Sequence, residues 1–258
     1  MKRYVSALLL VTLFLGVGSL NANYGCQPVL EPCGLSLVVK GGVAPSHFTR
    51  RGYDLFVTPA GIGGFFRVPK LDDLAHLPWQ VGGEIDWNAS ERVQLFLEGY
   101  YQRASGKTLN VFSAPGFDVV EGFKAYKNAG VYLGTRLYPC RLFCSFLPFV
   151  GFKAGVVYQS DLLCNLFFNG TLVAGSPFEF QKSQWVPSVG GQIGFDYELF
   201  CRWNLVFTAE AVVTQGLRSN HDVVFRNTAQ TGGITNAVTG DTGKVISFPI
   251  TLGLRYKF

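Results

Sequence analysis

The carboxyl-terminal twelve residues alternate between apolar and polar side chains with a period of two. The apolar set is Phe248, Ile250, Leu252, Leu254, Tyr256 and Phe258. The intervening set is Ser247, Thr251, Gly253, Arg255 and Lys257, with Pro249 near one end. Because successive side chains of a strand point to opposite faces, this pattern predicts a strand with one apolar and one polar face.

Seven further segments alternate in the same way and are separated by clusters of Gly, Pro, Asn and Asp. We therefore expect eight strands, at 35–43, 79–88, 93–102, 126–138, 149–159, 189–199, 205–214 and 245–258. Most of them have about the 9–11 residues that a tilted strand needs to cross a bilayer. Only 15% of the residues are charged and 48% are hydrophobic, which excludes an intrinsically disordered chain.

The amino terminus has the three-part pattern of a secretory signal peptide. Lys2 and Arg3 precede an apolar run from Val5 to Leu20, and small and turn-forming residues follow. We expect residues 1–22 to be a cleaved signal peptide, 23–34 a periplasmic segment and 35–258 a barrel. A retained membrane anchor and a lipoprotein modified at Cys26 are the alternatives.

The polar faces of the predicted strands carry six acidic and five basic residues. They are Lys40, Glu84, Asp86, Glu98, Arg136, Lys153, Asp196, Glu198, Glu210, Arg255 and Lys257. Charges so close to balance predict mutual pairing inside a barrel rather than a field that steers ions. A lumen of eight strands is just wide enough to be filled by side chains, so little conductance is expected.

Alternation alone fits two kinds of barrel: a soluble lipocalin-type barrel with an apolar interior, and a membrane barrel with an apolar exterior. Short connections at 89–92, 139–148 and 200–204 alternate with long ones, which is typical of transmembrane barrels. Aromatic residues near strand ends suggest an interfacial girdle. They are Trp79, Trp87, Tyr101, Tyr138, Tyr158, Tyr197, Phe248 and Tyr256.

The signal peptide, the eight alternating strands, the unequal connections and a last strand ending at Phe258 resemble the small outer-membrane β-barrels of Gram-negative bacteria. The OmpA-type transmembrane domain and the opacity-type surface proteins belong to this class. The resemblance implies an all-β antiparallel barrel in the bacterial outer membrane, surrounded by outer-membrane lipid. It also implies that Phe248, Ile250, Leu252, Leu254, Tyr256 and Phe258 form the signal read by the outer-membrane barrel assembly machinery.

Six cysteines could be oxidised after export. Local disulfides are plausible between Cys26 and Cys33 and between Cys140 and Cys144, and Cys201 could replace a partner in either pair. Cys164 falls in an outer loop. The cysteine count resembles that of the disulfide-linked outer-membrane proteins of the chlamydial group. No histidine lies near these cysteines, so no metal site is expected.

The long connections contain two notable segments. Asn169-Gly170 lies between apolar runs, which is a strong hairpin signal. That hairpin could extend the fifth and sixth strands beyond the membrane, add two membrane strands to give ten, or form an irregular loop. The last connection carries Ser219, His221 and Asp222, which we interpret as a polar loop segment rather than a catalytic group.

These features predict a non-enzymatic surface or structural protein of the envelope, with exposed loops for adhesion or for a host or envelope partner. The alternatives are a small porin and a soluble lipocalin-like carrier. No cofactor is expected. The net charge of +5 comes without a cluster of basic residues, so no nucleic-acid partner is expected either.

Overall fold

A computed structural model describes residues 30–48, 53–57, 63–67, 75–114, 117–141, 145–172, 176–215, 235–239 and 244–258. In chain order its strands are β1 (Leu35–Val43), β2 (Ser46–Phe48), β3 (Tyr53–Val57), β4 (Gly63–Arg67), β5 (Trp79–Asn88), β6 (Val93–Ala104), β7 (Thr108–Ala114), β8 (Phe117–Phe123), β9 (Tyr126–Leu137), β10 (Phe146–Gln159), β11 (Leu162–Phe168), β12 (Thr171–Leu172), β13 (Phe178–Gln181), β14 (Gln184–Phe200), β15 (Trp203–Thr214), β16 (Thr235–Thr239), β17 (Val245–Ser247) and β18 (Ile250–Lys257). No helix in these ranges is long and apolar enough to cross a membrane.

Eight of these strands form a closed antiparallel ring, as the sequence predicts. Their order is β14–β10–β9–β6–β5–β1–β18–β15, and β15 returns to pair with β14. The first and last strands of the ring are neighbours, with Ser36 opposite Lys257 and Val43 opposite Ile250. The alternating carboxyl-terminal segment therefore supplies β18, which pairs with β1 within the closed ring.

Only β1 and β5 have the predicted bounds, and the largest departures are at three other strands of the ring. β10 and β14 begin before the expected residues 149 and 189, at Phe146 and Gln184. The predicted continuous strand 245–258 is wrong, because β17 ends at Ser247 and β18 begins at Ile250. Pro249 has no N–H to donate to the ladder. Its carbonyl still accepts a hydrogen bond from the Glu210 amide at 2.9 Å, which keeps this segment against β15.

Apolar side chains cover the outside of the ring, and most of the charged side chains lie inside it. Leu133 is 66% exposed, Ile193 59% and Leu252 53%, whereas Glu98, Arg136 and Asp196 are fully buried. A lipocalin-type barrel requires the reverse arrangement. The alternative of a soluble carrier is therefore wrong, and the arrangement is that of a barrel surrounded by lipid.

One end of the barrel, which we call the short-turn end, has turns at 89–92, between β9 and β10, and at 201–202. The segment before β1 folds against this end. The Leu30 amide donates to the Glu91 carbonyl at 3.0 Å, and the Cys33 amide donates to that of Asn88 at 2.9 Å. The Leu30 side chain is buried in an apolar cluster with Val38, Tyr138, Leu147, Phe149 and Val206. This cluster helps to close the lumen at the short-turn end.

The long connections carry two further sheets, which we call the outer sheets. One contains β7, β8, β11, β12 and β13, and the other contains β3, β4 and β16. Asn169 and Gly170 have positive φ angles of 47° and 76°, as the predicted tight hairpin turn between β11 and β12 requires. Because these strands lie outside the ring, the ten-stranded alternative is wrong. β11 follows β10 and pairs with β13, which precedes β14, so the hairpin extends the fifth and sixth barrel strands.

Candidate functional site

The lumen contains a cluster of buried charged side chains, and every strand of the ring contributes at least one of them. Lys40 comes from β1, Glu98 from β6, Lys153 from β10 and Glu210 from β15. Lys40 Nζ lies 2.8 Å from Glu98 Oε1 and 3.5 Å from Glu210 Oε1. Lys153 Nζ lies 2.8 Å from Glu98 Oε2 and 2.5 Å from Glu210 Oε2. Two lysines and two glutamates thus form a closed ring of ion pairs.

A second group of charges continues from this ring toward the short-turn end. Glu84 on β5 contacts Lys40 and also lies 2.6 Å from Arg136 Nη2. Arg136 Nη1 lies 3.6 Å from Asp86, and Asp86 accepts a hydrogen bond from Arg255 Nε at 3.1 Å. Arg255 in turn contacts Asp196 on β14. Neighbouring side chains therefore alternate in sign from Lys153 to Asp196, and we call these nine residues the lumen network.

Aromatic and amide side chains support the lumen network, and the sequence analysis did not identify them. The Arg136 guanidinium lies 4.4 Å from the Phe96 ring centroid and 4.9 Å from that of Phe149, which is cation–π geometry. Arg255 donates hydrogen bonds to the Tyr138 hydroxyl and to Gln94 Oε1, both at 3.1 Å. The placement of Tyr138 in the outer girdle was wrong, since its side chain is buried in the lumen.

Two of the eleven predicted lumen residues lie at the mouth of the short-turn end instead. Glu198 accepts from Lys257 Nζ and from Arg141 Nη1, each at 3.0 Å. The side chain of Glu198 is 27% exposed and that of Lys257 is 37% exposed. Both residues have the inward orientation of the network residues. They lie near the ends of β14 and β18, where the barrel opens to solvent.

The lumen is closely packed beyond the network as well. A cavity of about 20 Å³ lies toward the end with the long connections, lined among others by Tyr100, Tyr132, Lys153 and Glu210. Its volume is on the order of a single water molecule. Small residues make this packing possible: a Cβ on Gly134 would lie 2.2 Å from the Phe96 ring. This cavity therefore has no room for a hydrated ion beside Lys153 and Glu210.

The remaining predicted site residues are only partly described. The apolar side chains of the assembly signal point outward, with Phe258 71% exposed, and their recognition stays a prediction. Cys33, Cys140 and Cys201 form no disulfide with one another, so the pairings of Cys201 with Cys33 and with Cys140 are wrong. Cys26 and Cys144 lie outside the described residues, so both disulfides also stay predictions.

His47 and His76 line a cavity of about 300 Å³ beside Lys107, whereas Ser219, His221 and Asp222 lie outside the described residues.

Antiparallel closure, an outward apolar band and a charged interior together define an eight-stranded transmembrane β-barrel. Its distant structural neighbours include Neisserial surface protein A, at 11% identity and a TM-score of 0.41, over 87% of this chain and 97% of that chain. The outer membrane protein OprG from Pseudomonas aeruginosa is 16% identical, with a TM-score of 0.44, over 88% of this chain and 97% of that chain. No family model and no curated protein match the sequence.

A protease is found in the same group of structures. The outer membrane protease OmpT from Escherichia coli is 9% identical, with a TM-score of 0.39, over 92% of this chain and 99% of that chain. None of these comparisons supports a link to the chlamydial group.

Proposed function

We propose that the protein is a non-enzymatic surface protein of the bacterial outer membrane. In this proposal the barrel is an anchor in outer-membrane lipid, and the outer sheets are presented to the outside for adhesion or for another surface partner. The observation that carries the proposal is the filled lumen. Nine buried charges fill the described barrel at the level of the lumen network, and the cavity beside Lys153 and Glu210 has a volume of only about 20 Å³.

The energetics of the lumen network favour a plug over a channel. Burying charged groups costs several kcal/mol per ion unless each is paired with good geometry. Here each cation contacts at least two carboxylates, so opening a path would break several pairs at once. The distribution of the network over all eight strands also supports a role in holding the barrel in one closed shape.

Three features support a place in the outer membrane. Residues 1–22 have the pattern of an export signal, the outside of the barrel is apolar, and the outward face of β18 fits the assembly signal implied by the resemblance. By analogy with outer-membrane barrels, the short-turn end faces the periplasm and the long connections face the outside.

Conductance tests the plugged lumen directly. Purified protein inserted into planar lipid bilayers should give no stable open current. A steady conductance of roughly hundreds of picosiemens per barrel would refute the plug and support the small porin, since such currents need a continuous water-filled pore.

Adherence tests the surface role. Bacteria that display the protein should bind cultured epithelial cells, and replacing residues 162–181 by a short turn should abolish binding. The variant barrel must still migrate differently on SDS gels before and after boiling, which demonstrates that it is folded. Equal adherence of the variant and the unaltered protein would contradict a binding role for this outer sheet.

A further inference from the structure

Basic side chains are concentrated on one side of the short-turn end. Arg202 is exposed in the turn between β14 and β15, and its carbonyl accepts a hydrogen bond from the Lys257 amide at 2.9 Å. Lys257 and Arg141 both pair with Glu198. We call these four residues the rim patch. Three cations and one carboxylate give it a formal charge of 3 − 1 = +2.

Aromatic side chains flank the rim patch on the outside of the barrel. Trp203 and Tyr256 have ring centroids 5.0 Å apart, and those of Tyr256 and Phe258 are 5.2 Å apart. Phe200 and Phe258 are among the most exposed apolar residues described. We call these four residues the aromatic ledge. Aromatic rings of this kind lie at the level of the lipid headgroups, which places the rim patch at that level as well.

A hydrogen bond joins the two features. Arg202 Nη1 donates to the Tyr256 hydroxyl at 3.2 Å. Because Tyr256 belongs to the lipid-facing side of β18, this bond holds the guanidinium beside the membrane surface. No ion pair links Arg202 to a carboxylate among the described residues, so its remaining N–H groups are available to a ligand. A guanidinium matches the oxygens of a phosphate, to which it can donate two parallel hydrogen bonds.

The opposite side of the same end has a different charge. The turn at 89–92 contains Glu91 and Arg92. Glu31 lies beside this turn, and its backbone carbonyl accepts a hydrogen bond from the side-chain amide of Asn88. One cation and two carboxylates give 1 − 2 = −1. The positive charge is therefore local to β14, β15, β18 and the turn between β9 and β10 rather than spread over the whole rim.

We propose that the rim patch binds the phosphate group of an anionic phospholipid in the periplasmic leaflet, with Arg202 as its main ligand. Tyr256 orients Arg202, and the aromatic ledge packs against the glycerol and upper acyl region of the same lipid. This site rests on the membrane orientation given in the proposed function, but it does not depend on whether the lumen conducts.

Native mass spectrometry of the folded protein in detergent micelles tests the site, with phosphatidylglycerol and phosphatidylcholine as the two added lipids. The protein should retain phosphatidylglycerol in preference to phosphatidylcholine. Arg202→Gln should weaken the binding of phosphatidylglycerol about fivefold, as expected for one basic residue at an anionic surface. Tyr256→Phe should weaken it less, because the guanidinium remains but is no longer held.

Arg92→Gln is the matched control, since it removes one cation from the opposite turn. It should leave phosphatidylglycerol binding unchanged. Equal retention of both lipids, or equal losses in Arg202→Gln and Arg92→Gln, would overturn the proposal. Boiled and unboiled SDS gels confirm that each variant is folded. If the unaltered protein migrated identically before and after boiling, the membrane barrel itself would be refuted. A steady current in planar bilayers would refute only the plugged lumen.

Discussion

Replacing Lys40 by methionine should destabilise the barrel strongly. The Lys40 ammonium contacts Glu84, Glu98 and Glu210, and its side chain is 2% exposed. Methionine has a similar volume but no charge, so three buried carboxylates would be left with Arg136 and Lys153 as partners. Removing one partner from a buried ion pair typically costs about 3–5 kcal/mol. We expect a loss of this size in the free energy of unfolding.

Urea unfolding in phospholipid vesicles, followed by tryptophan fluorescence, measures this loss. Arg141→Gln is the comparison, because it breaks a pair with Glu198 in which the two side chains are 29% and 27% exposed. Exposed pairs contribute about 0–1 kcal/mol. The double variant Lys40→Met/Glu98→Gln should lose less than the sum of its single variants, since it removes one charge of each sign. Similar small losses for Lys40→Met and Arg141→Gln would refute the view that the lumen network stabilises the barrel.

Two further predictions test the orientation of the side chains. Leu133→Arg, on the outside of β9, should reduce the free energy of unfolding in vesicles by about 2–4 kcal/mol, as an arginine near the bilayer midplane does; no loss would contradict a lipid-facing β9. Gly134→Ala, at the next position, should destabilise the barrel by about 1–3 kcal/mol, because its Cβ would lie 2.2 Å from the Phe96 ring and 2.6 Å from the Phe152 carbonyl oxygen. Gly99→Ala is the control, since its Cβ would meet no atom within 4 Å, and equal unfolding midpoints for the two alanine variants would contradict the close packing of the lumen.

Alternation along the sequence predicted the ring because a strand has only two faces. β1 and β5 have the predicted bounds, and in both strands the charged residues lie on the face opposite the leucines and tryptophans. The interruption at Pro249 could not be placed in advance, since a proline near the end of a strand is compatible with either a continuous or a broken strand.

The lumen could be predicted only in part. Lys40 and Glu84 were assigned to the inside because they are charged, whereas Phe96 and Tyr138 were missed because aromatic residues fit a lipid-facing surface equally well. The period-two pattern did contain the signal for Phe96, which lies between the outward residues Leu95 and Leu97. Glu198 and Lys257 show a second limit of the sequence pattern. Alternation assigns a side chain to the inner or the outer face of the barrel, but it does not give the position of that side chain along the barrel axis.

The pairing of β1 with β18 has a consequence for how the protein is assembled. Asp86 and Asp196 both depend on Arg255, which is carried by the last strand of the ring. A barrel inserted without that strand would leave both carboxylates without this partner and the sheet with two open edges. Incomplete chains should therefore remain accessible to periplasmic proteases, so the same charges that fill the lumen also distinguish finished molecules from unfinished ones.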